Sequence, residues 1–292
     1  AATRSPLEEL GCGIAEGDYL ISIDGDRVTA GDNIYAFLED KAGKVITLGT
    51  SKTPDADGES LCTLETLHSE SFLRYRAWVE ANRRYVEKTS GGQIGYVHIP
   101  NMGEAGLIEF ARTYYPQHFR KGLVIDERYN GGGFVGDMII DRLERVLWSI
   151  TQPREGKQLK DPERVFNGHL AVLINEDTGS NGEFFAYAIK FRKLAPVIGK
   201  RTWGGVIGIE PHQDLVDGGG TTPPQFGLLA LDGTWPVEGR GVEPDIEVDN
   251  PPAAALAGED PQLDYAIELL TRKITEEPRN LVPTPAYPIK AK

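Results

Sequence analysis

The chain has 292 residues, enough to bury a sizeable core in one large domain or in two unequal ones. Its formal net charge of -13 argues against non-specific binding to nucleic acids or anionic membranes, since both depend on a cationic protein surface. No stretch approaches the ~20 apolar residues that span a bilayer, and the first residues do not show the charged-then-apolar pattern expected of a signal segment. Cys12 and Cys62 fit neither a disulfide framework nor a clustered metal site, so we expect a reducing compartment and a cytoplasmic location.

The first part of the chain predicts a small α+β module. Residues 19–28, YLISIDGDRV, alternate apolar and polar residues around Asp24 and Gly25, which predicts a strand that runs into a tight turn. A short helix is expected over 34–38, and two β-rich runs follow at 45–50 and 61–67.

Beyond a helix predicted over 75–87, the pattern changes to apolar strands that alternate with amphipathic helices. This alternation is typical of an α/β domain with a mostly parallel sheet and flanking helices. The predicted strands are 94–99, 123–126 and 169–175, and the predicted helices are 105–119, 134–147 and 263–276. Residues 250–262 are expected to form a strap into the last helix.

The segment EDTGSNGEFF (176–185) follows the third of these strands and contains Ser180. Ser180 and Glu183 spell S-x-x-E before an apolar run, the pattern of a helix capping box. The same position lies at the carboxyl end of a strand and the amino end of a helix, where active sites of α/β sheets concentrate. Gly182 lies in the first helical turn at a cost of up to about 1 kcal/mol relative to alanine, which capping alone does not explain. Helix cap and nucleophile both remain open interpretations of Ser180.

A second loop, IDERYNGGGF (125–134), ends a strand with Asn130 and three consecutive glycines. Such a loop can turn backbone N–H groups toward a reacting oxygen, as an oxyanion hole requires. Gly131, Gly133 and Gly136 also match the dinucleotide-binding pattern G-x-G-x-x-G, which predicts an acidic residue about 20 positions on, at the end of a second strand. Residues 149–157 are predicted to be a loop, which disfavours that alternative.

Five segments in this order resemble the catalytic core of the tricorn and tail-specific (C-terminal-processing) serine peptidases: 92–103, 122–134, 176–185, 199–205 and 235–250. Residues 5–29 resemble the later part of a PDZ domain, which these peptidases carry beside the core. The resemblance implies a partial PDZ-like domain over 1–67 and a peptidase core with a crotonase-like fold over 68–292. It also implies that the opening PDZ strands precede Ala1, so that the chain is truncated.

The resemblance assigns roles to individual residues. Ser180 falls at the position of the nucleophile, and the backbone N–H of Asn181 falls at one position of the oxyanion hole. The second donor is expected from Gly132 or Gly133. Glu238 matches a glutamate that supports the site in the tricorn branch, although an exposed loop charge is the alternative interpretation.

The general base is the point at which this sequence departs from the pattern. In the tail-specific branch the base is a lysine, and Gly205 occupies the matching position here, while Lys200 lies at the start of the segment. In the tricorn branch the base is a histidine from a domain before the PDZ module. We therefore expect the base to be missing and this chain to be weakly active or inactive.

The five histidines of the sequence are weighed as substitutes for that base. His98 and His169 are predicted strand residues, and His68 and His118 lie near predicted helix ends. His212, on a predicted loop, is the one candidate that we expect to be worth testing.

The resemblance implies a serine peptidase that hydrolyses oligopeptides or unfolded chains through an acyl-enzyme on Ser180. It further implies a homo-oligomer such as a hexamer. The net charge and the lack of a spanning stretch predict no nucleic-acid or membrane partner. The histidines show no H-E-x-x-H spacing, and serine acyl transfer needs no metal or other cofactor. Two alternatives are kept: a non-catalytic peptide-binding or assembly module, and a dinucleotide-binding enzyme that uses the Gly131–Gly136 loop.

Overall fold

The computed structural model describes residues 5–8, 11–54, 58–209, 213–287 and 289. It divides the chain into two compact units, Ala1–Ala81 and Asn82–Lys292. The longest helix, α2, covers Ser71–Thr89 and continues along the chain from the first unit into the second. Among the residues described, no helix combines the length and the apolar character that crossing a membrane requires.

The first unit is built on a four-stranded antiparallel sheet with the order β2-β1-β3-β4. Asp24 and Gly25 have φ angles of 52° and 87°, which the tight turn between β1 and β2 requires, so the predicted strand and turn are confirmed. The elements are a 3₁₀ helix Pro6–Glu8, β1 Tyr19–Ile23, β2 Asp26–Arg27, α1 Ile34–Phe37, β3 Val45–Ser51 and β4 Ser60–Glu65.

Cys12 and Cys62 form a disulfide in the core of this unit, with their Cα atoms 4.7 Å apart. The expectation that the two cysteines form no disulfide is wrong. They are 50 residues apart in sequence, and two isolated cysteines carry no pairing pattern; the fold of β4 beside the segment that contains Cys12 brings them together. The expectation of a reducing compartment rested on unpaired cysteines, and the disulfide removes that reason.

The second unit is an α/β domain whose central sheet has five parallel strands in the order β15-β10-β9-β6-β5. In chain order the elements are β5 Ile94–His98, α3 Glu104–Tyr114, β6 Gly122–Asp126, α4 Gly136–Leu143, β7 Ser149–Thr151, β8 Leu159–Asp161, β9 His169–Ile174, α5 Asn181–Phe191, β10 Val197–Gly199, β11 Gly208–Ile209, β12 Gln213–Asp214, β13 Gly220–Thr221, β14 Pro224–Phe226, β15 Ile246–Glu247, α6 Pro252–Leu256 and α7 Pro261–Glu276.

The sheet is covered on both faces, and this explains its sequence. Every residue of β5, β6 and β9 is buried, so these strands are nearly continuous apolar runs rather than alternating ones. Helices α3 and α7 pack on the sheet, and α4 packs on α5. The predicted α/β fold with a parallel sheet and flanking helices is confirmed.

Several predicted elements differ from the structure. Helix α4 covers Gly136–Leu143 rather than 134–147, and α3 ends at Tyr114 rather than at 119. The start of α4 is late because the amides of Phe134 and Val135 donate to the carbonyl oxygen of Met102. Residues 149–151, predicted to be a loop, form β7, which pairs with β8 and is too short to carry a strand pattern of its own. The expected strap before the last helix contains the short helix α6.

Candidate active site

The two loops singled out in the sequence leave the same edge of the sheet. Strands β6 and β9 are neighbours and parallel, so their carboxyl ends meet. The hydroxyl of Thr178 donates to the carbonyl oxygen of Glu127 at 2.8 Å, and the N–H of Gly179 donates to the carbonyl oxygen of Asn130 at 2.9 Å. These bonds tie the loop after β9 to the glycine loop after β6.

Ser180 occupies an unusual backbone conformation at the start of α5. Its φ of 52° and ψ of -122° are rare for a residue with a side chain, and such positions cluster at functional sites. The N–H of Ser180 donates to Glu183 Oε2 at 3.0 Å, which forms the carboxylate half of the predicted capping box. The predicted capping bond between Ser180 and Glu183 is therefore present at the start of α5. It does not determine the chemical role of the Ser180 side chain.

The side chain of Ser180 faces the glycine loop. A Cβ atom built on Gly132 would lie 2.5 Å from Ser180 Cβ, 2.9 Å from its Oγ and 3.0 Å from the amide nitrogen of Asn181. Gly132 also has a φ of 89°, which favours glycine. The absence of a side chain at this position thus keeps open the space in front of the serine hydroxyl.

Two backbone amides at this point have no acceptor among the described residues, those of Gly133 and Asn181. The amide of Gly132 is engaged, because it donates to Asn130 Oδ1 at 2.9 Å. The sequence left Gly132 and Gly133 as alternatives for the second donor of an oxyanion hole. The hydrogen bonds favour Gly133.

Asn130 connects the glycine loop to a buried acid that the sequence analysis did not single out. Its Nδ2 donates to Glu127 Oε2 at 2.7 Å and to the carbonyl oxygen of Ile99 at 2.9 Å. Glu127 is fully buried, and burial, together with repulsion from Asp126, raises its pKa well above the usual range. Its Oε1 has no hydrogen-bond partner among the described atoms. A charged residue directly after the apolar strand β6 was the available signal.

Glu183 joins the serine to the segment that follows β10. Besides the N–H of Ser180, this fully buried carboxylate accepts hydrogen bonds from the Thr202 hydroxyl at 2.6 Å and the amides of Gly204 and Gly205 at 2.7 and 3.0 Å. The capping pattern identified Glu183 as a helix residue only. Its three bonds to residues 202–205 were not predicted.

Glu238 contacts the next residues of that segment from a later part of the chain. Its Oε2 accepts hydrogen bonds from the amides of Val206 and Ile207 at 2.7 and 3.1 Å, and the residue is half-buried. The alternative interpretation of Glu238 as an exposed loop charge does not describe this environment.

The position expected for a lysine base is closed to a side chain. A Cβ atom on Gly205 would fall on the ring of Trp203. Lys200 is engaged elsewhere: its Nζ lies 3.1 Å from Glu247 Oε1, and this hydrogen bond raises the pKa of Lys200. A lysine that is held protonated in this way is a poor general base.

Each histidine that the structure describes makes contacts away from Ser180. The ring nitrogen Nε2 of His98 is hydrogen-bonded to the carbonyl oxygen of Arg128 at 2.9 Å. The Nε2 of His169 is bonded to the carbonyl oxygen of Glu277 at 2.8 Å, and the Nδ1 of His118 to that of Tyr115 at 2.6 Å. His68 packs on Gly43 in the first unit. His212, the candidate substitute, lies outside the described residues.

The structure does not support the interpretation of the Gly131–Gly136 loop as a dinucleotide-binding site. The amide of Gly136, at the amino end of α4, donates to the side chain of Asn181 at 2.9 Å and is not available to a phosphate. The residues about 20 positions beyond the glycines form β7, which pairs with β8 in a separate two-stranded sheet.

Comparison with known proteins assigns the chain to a family. Residues 93–248 match peptidase family S41, and residues 1–69 match the tricorn protease PDZ domain. The tricorn protease of Thermoplasma acidophilum is 42% identical over 272 residues, which are 93% of this chain and 25% of the relative. A putative tricorn-like protease C-terminal subunit of Sulfurisphaera tokodaii is 39% identical, over 94% of this chain and 31% of the relative.

A solved structure agrees with these matches. A crystal structure of the tricorn protease superposes with a TM-score of 0.87 at 40% identity, over 94% of this chain and 26% of that chain. This chain thus spans about a quarter to a third of the length of these relatives. It belongs to peptidase family S41, among the relatives of tricorn protease.

Proposed function

We propose that this chain carries the nucleophile and the oxyanion hole of a serine peptidase, with Ser180 as the nucleophile. The observation that supports this proposal best is the close approach of the two loops: a Cβ atom on Gly132 would lie 2.9 Å from Ser180 Oγ and 3.0 Å from the amide nitrogen of Asn181. The amides of Asn181 and of Gly133, the next residue of the glycine loop, have no acceptor among the described residues. Two such amides from two strand-to-helix loops can accept one carbonyl oxygen as it gains negative charge.

In this mechanism Ser180 Oγ attacks the carbonyl carbon of a peptide bond and its proton passes to a base. The carbonyl oxygen becomes an oxyanion and accepts hydrogen bonds from Gly133 and Asn181. Collapse of the intermediate breaks the C–N bond, the amine leaves with a proton, and an acyl-enzyme remains. Water then attacks the ester, which releases the acid and restores Ser180. Loss of one oxyanion donor typically costs about 3 kcal/mol of transition-state stabilisation.

The base is the part of the site that the described residues do not supply. Lys200 is paired with Glu247, and the described histidines bond elsewhere. We infer that a histidine outside the described residues acts as the base. Glu238 supports the site by accepting hydrogen bonds from the amides of Val206 and Ile207, in the segment that also binds Glu183.

Substrates and assembly form part of the same proposal. The relatives are proteases by name, so we propose oligopeptides or unfolded chains as substrates. We also propose a homo-oligomer such as a hexamer, which light scattering after size-exclusion chromatography would test. A cytoplasmic location stays a prediction, and the Cys12–Cys62 disulfide argues against the reason first given for it.

A fluorophosphonate probe tests the nucleophile directly. We expect slow labelling of the chain, an adduct that mass spectrometry locates on Ser180, and no labelling of Ser180→Ala. Ser149→Ala, in β7, should label like the parent chain. An adduct on another residue would contradict the proposal.

Free imidazole tests the base. If the histidine lies outside this chain, added imidazole should accelerate labelling of Ser180, and His212→Ala should label at the parent rate. If His212 is the base, His212→Ala should lose labelling and regain it with imidazole. Absence of labelling in every case, with retained peptide binding, would favour a non-catalytic peptide-binding module instead.

A further inference from the structure

A second candidate site lies at the opposite end of the sheet from Ser180. Lys121 directly precedes β6 and His169 begins β9, whereas Ser180 follows the carboxyl end of β9. A six-residue strand such as β9 spans about 20 Å, so this end of the sheet is well separated from the serine. A cavity of about 380 Å³ opens here, which we call the basal cavity.

The basal cavity is lined by side chains of one charge sign. Arg120, Lys121, Lys160 and Arg279 contribute cationic groups, and His169 contributes an imidazole. None of the described residues that line the cavity is acidic. This local charge is opposite to the net charge of the whole chain, which is -13. Cationic side chains are therefore concentrated at this cavity although the chain as a whole is negatively charged.

Most of these cations are held by neutral oxygens. Lys121 Nζ contacts Gln93 Oε1 at 3.3 Å, Lys160 Nζ contacts the carbonyl oxygen of Val165 at 3.3 Å, and one Arg279 Nη1–H donates to the carbonyl oxygen of Gly168 at 3.0 Å. These bonds position the charged groups without neutralising them.

Two further observations indicate that the basal cavity favours an anion. Arg120 is ion-paired with Glu87 through Nη2 at 2.8 Å, yet its buried Nε has no hydrogen-bond partner among the described atoms. Lys160 is half-buried, and burial without a compensating carboxylate lowers its pKa. Removing a cation from water is unfavourable unless an anion is near, so an anion bound beside Lys160 would offset the cost of burying its ammonium group.

We propose that the basal cavity binds a small organic polyanion that carries phosphate or carboxylate groups. Arginine and lysine together suit such oxygens: the guanidinium presents a planar pair of donors, and the ammonium acts as a point charge. The volume falls in the range of small-molecule pockets. Apolar lining residues, Phe119, Ile274 and Leu281, provide a surface for the carbon portion of the ligand.

Calorimetric titration of the full chain with pyrophosphate and with citrate, at constant ionic strength, tests this site. We expect saturable binding of at least one probe and a rise in the melting temperature with that probe. Binding of pyrophosphate alone would identify a phosphate-bearing ligand, and binding of citrate alone would identify a carboxylate-bearing ligand. Binding of both probes would show that the cavity recognises either kind of anionic group. Failure of both probes to saturate at about 10 mM, ten times a weak 1 mM dissociation constant, would overturn the proposal.

Matched charge-removing variants locate the binding. Lys160→Met keeps the aliphatic stem and should weaken binding of the probe at least tenfold, while Lys88→Met, at an exposed position of α2, should leave it unchanged. Lys121→Gln provides a second lining variant at an exposed side chain if Lys160→Met does not fold. Equal weakening by Lys88→Met and by the lining variants would show a general charge effect and refute the site.

Discussion

At the scale of single residues, the candidate site depends on the lack of a side chain at Gly132 as much as on the side chain of Ser180. Gly132 leaves the space in front of the Ser180 hydroxyl open, whereas its neighbour Gly131 has no atom within 4 Å of a Cβ position and no positive φ. The two adjacent glycines therefore allow a matched comparison.

Gly132→Ala should lower the free energy of unfolding by about 1–3 kcal/mol, because the methyl group meets Ser180 and the residue keeps a positive φ. It should also abolish fluorophosphonate labelling. Urea titration and labelling measure both effects. Gly131→Ala should behave like the parent chain in both assays, and a similar loss in the two variants would contradict this account of Gly132.

Glu127 should make stability depend on pH in a particular direction. Its pKa is raised in the folded state, so between its usual value of 4.5 and the folded value the native chain holds a proton that the unfolded chain loses. The contribution of Glu127 to the free energy of unfolding is therefore full at low pH and falls as the pH rises.

The neutral analogue Glu127→Gln keeps an acceptor for Asn130 and has no proton to lose. We expect its stability to decline less than that of the parent chain between pH 5 and pH 8, by about 1.4 kcal/mol for each unit by which the pKa is raised. Urea titrations at several pH values measure the difference. Identical pH profiles for the two proteins would show that Glu127 is ionised in the folded state.

At the scale of elements, Glu183 holds the start of α5 to the segment after β10. Four donors from both places converge on this one buried carboxylate. Helix capping explains one of these bonds, and the other three fix the segment that also carries Gly205 and the amides bound by Glu238.

Glu183→Ala should lower the free energy of unfolding by about 3 kcal/mol or more, since it leaves one buried and several partly buried donors without an acceptor. Glu176→Ala, at an exposed position before the same helix, should change it by less than about 0.5 kcal/mol. Chemical denaturation of the two variants checks the contrast. Equal, small effects would mean that the segment is held by other contacts.

At the scale of the whole molecule, the two compact units differ in how they are stabilised. The second unit has a large core around a sheet buried on both faces, whereas the first has a small core that contains the Cys12–Cys62 disulfide. Closing a loop of about 50 residues stabilises a fold by roughly 4 kcal/mol in the chain-entropy view.

A reducing agent should therefore lower the melting temperature of the first unit and leave that of the second unit unchanged. Differential scanning calorimetry with and without dithiothreitol measures this, and the paired variant Cys12→Ser with Cys62→Ser should melt like the reduced chain. Free thiols in the unreduced, denatured protein would contradict the disulfide.

The sequence by itself determined the order of the main elements and the family of the chain. Period-two and continuous apolar runs predicted the principal strands, and five short segments, among them those with Ser180, the glycine loop and Glu238, carried the family resemblance. These features are local, since each depends on the residues within one short segment.

The tertiary structure decided what the local patterns left open. It paired Cys12 with Cys62, engaged the Gly132 amide while leaving that of Gly133 without an acceptor among the described residues, and gathered four donors around Glu183. The disulfide and the bonds from residues 202–205 to Glu183 depend on contacts between segments distant in sequence. The bond of Gly132 to Asn130 is local, but its direction depends on the conformation of the folded loop, which residue type and spacing do not specify.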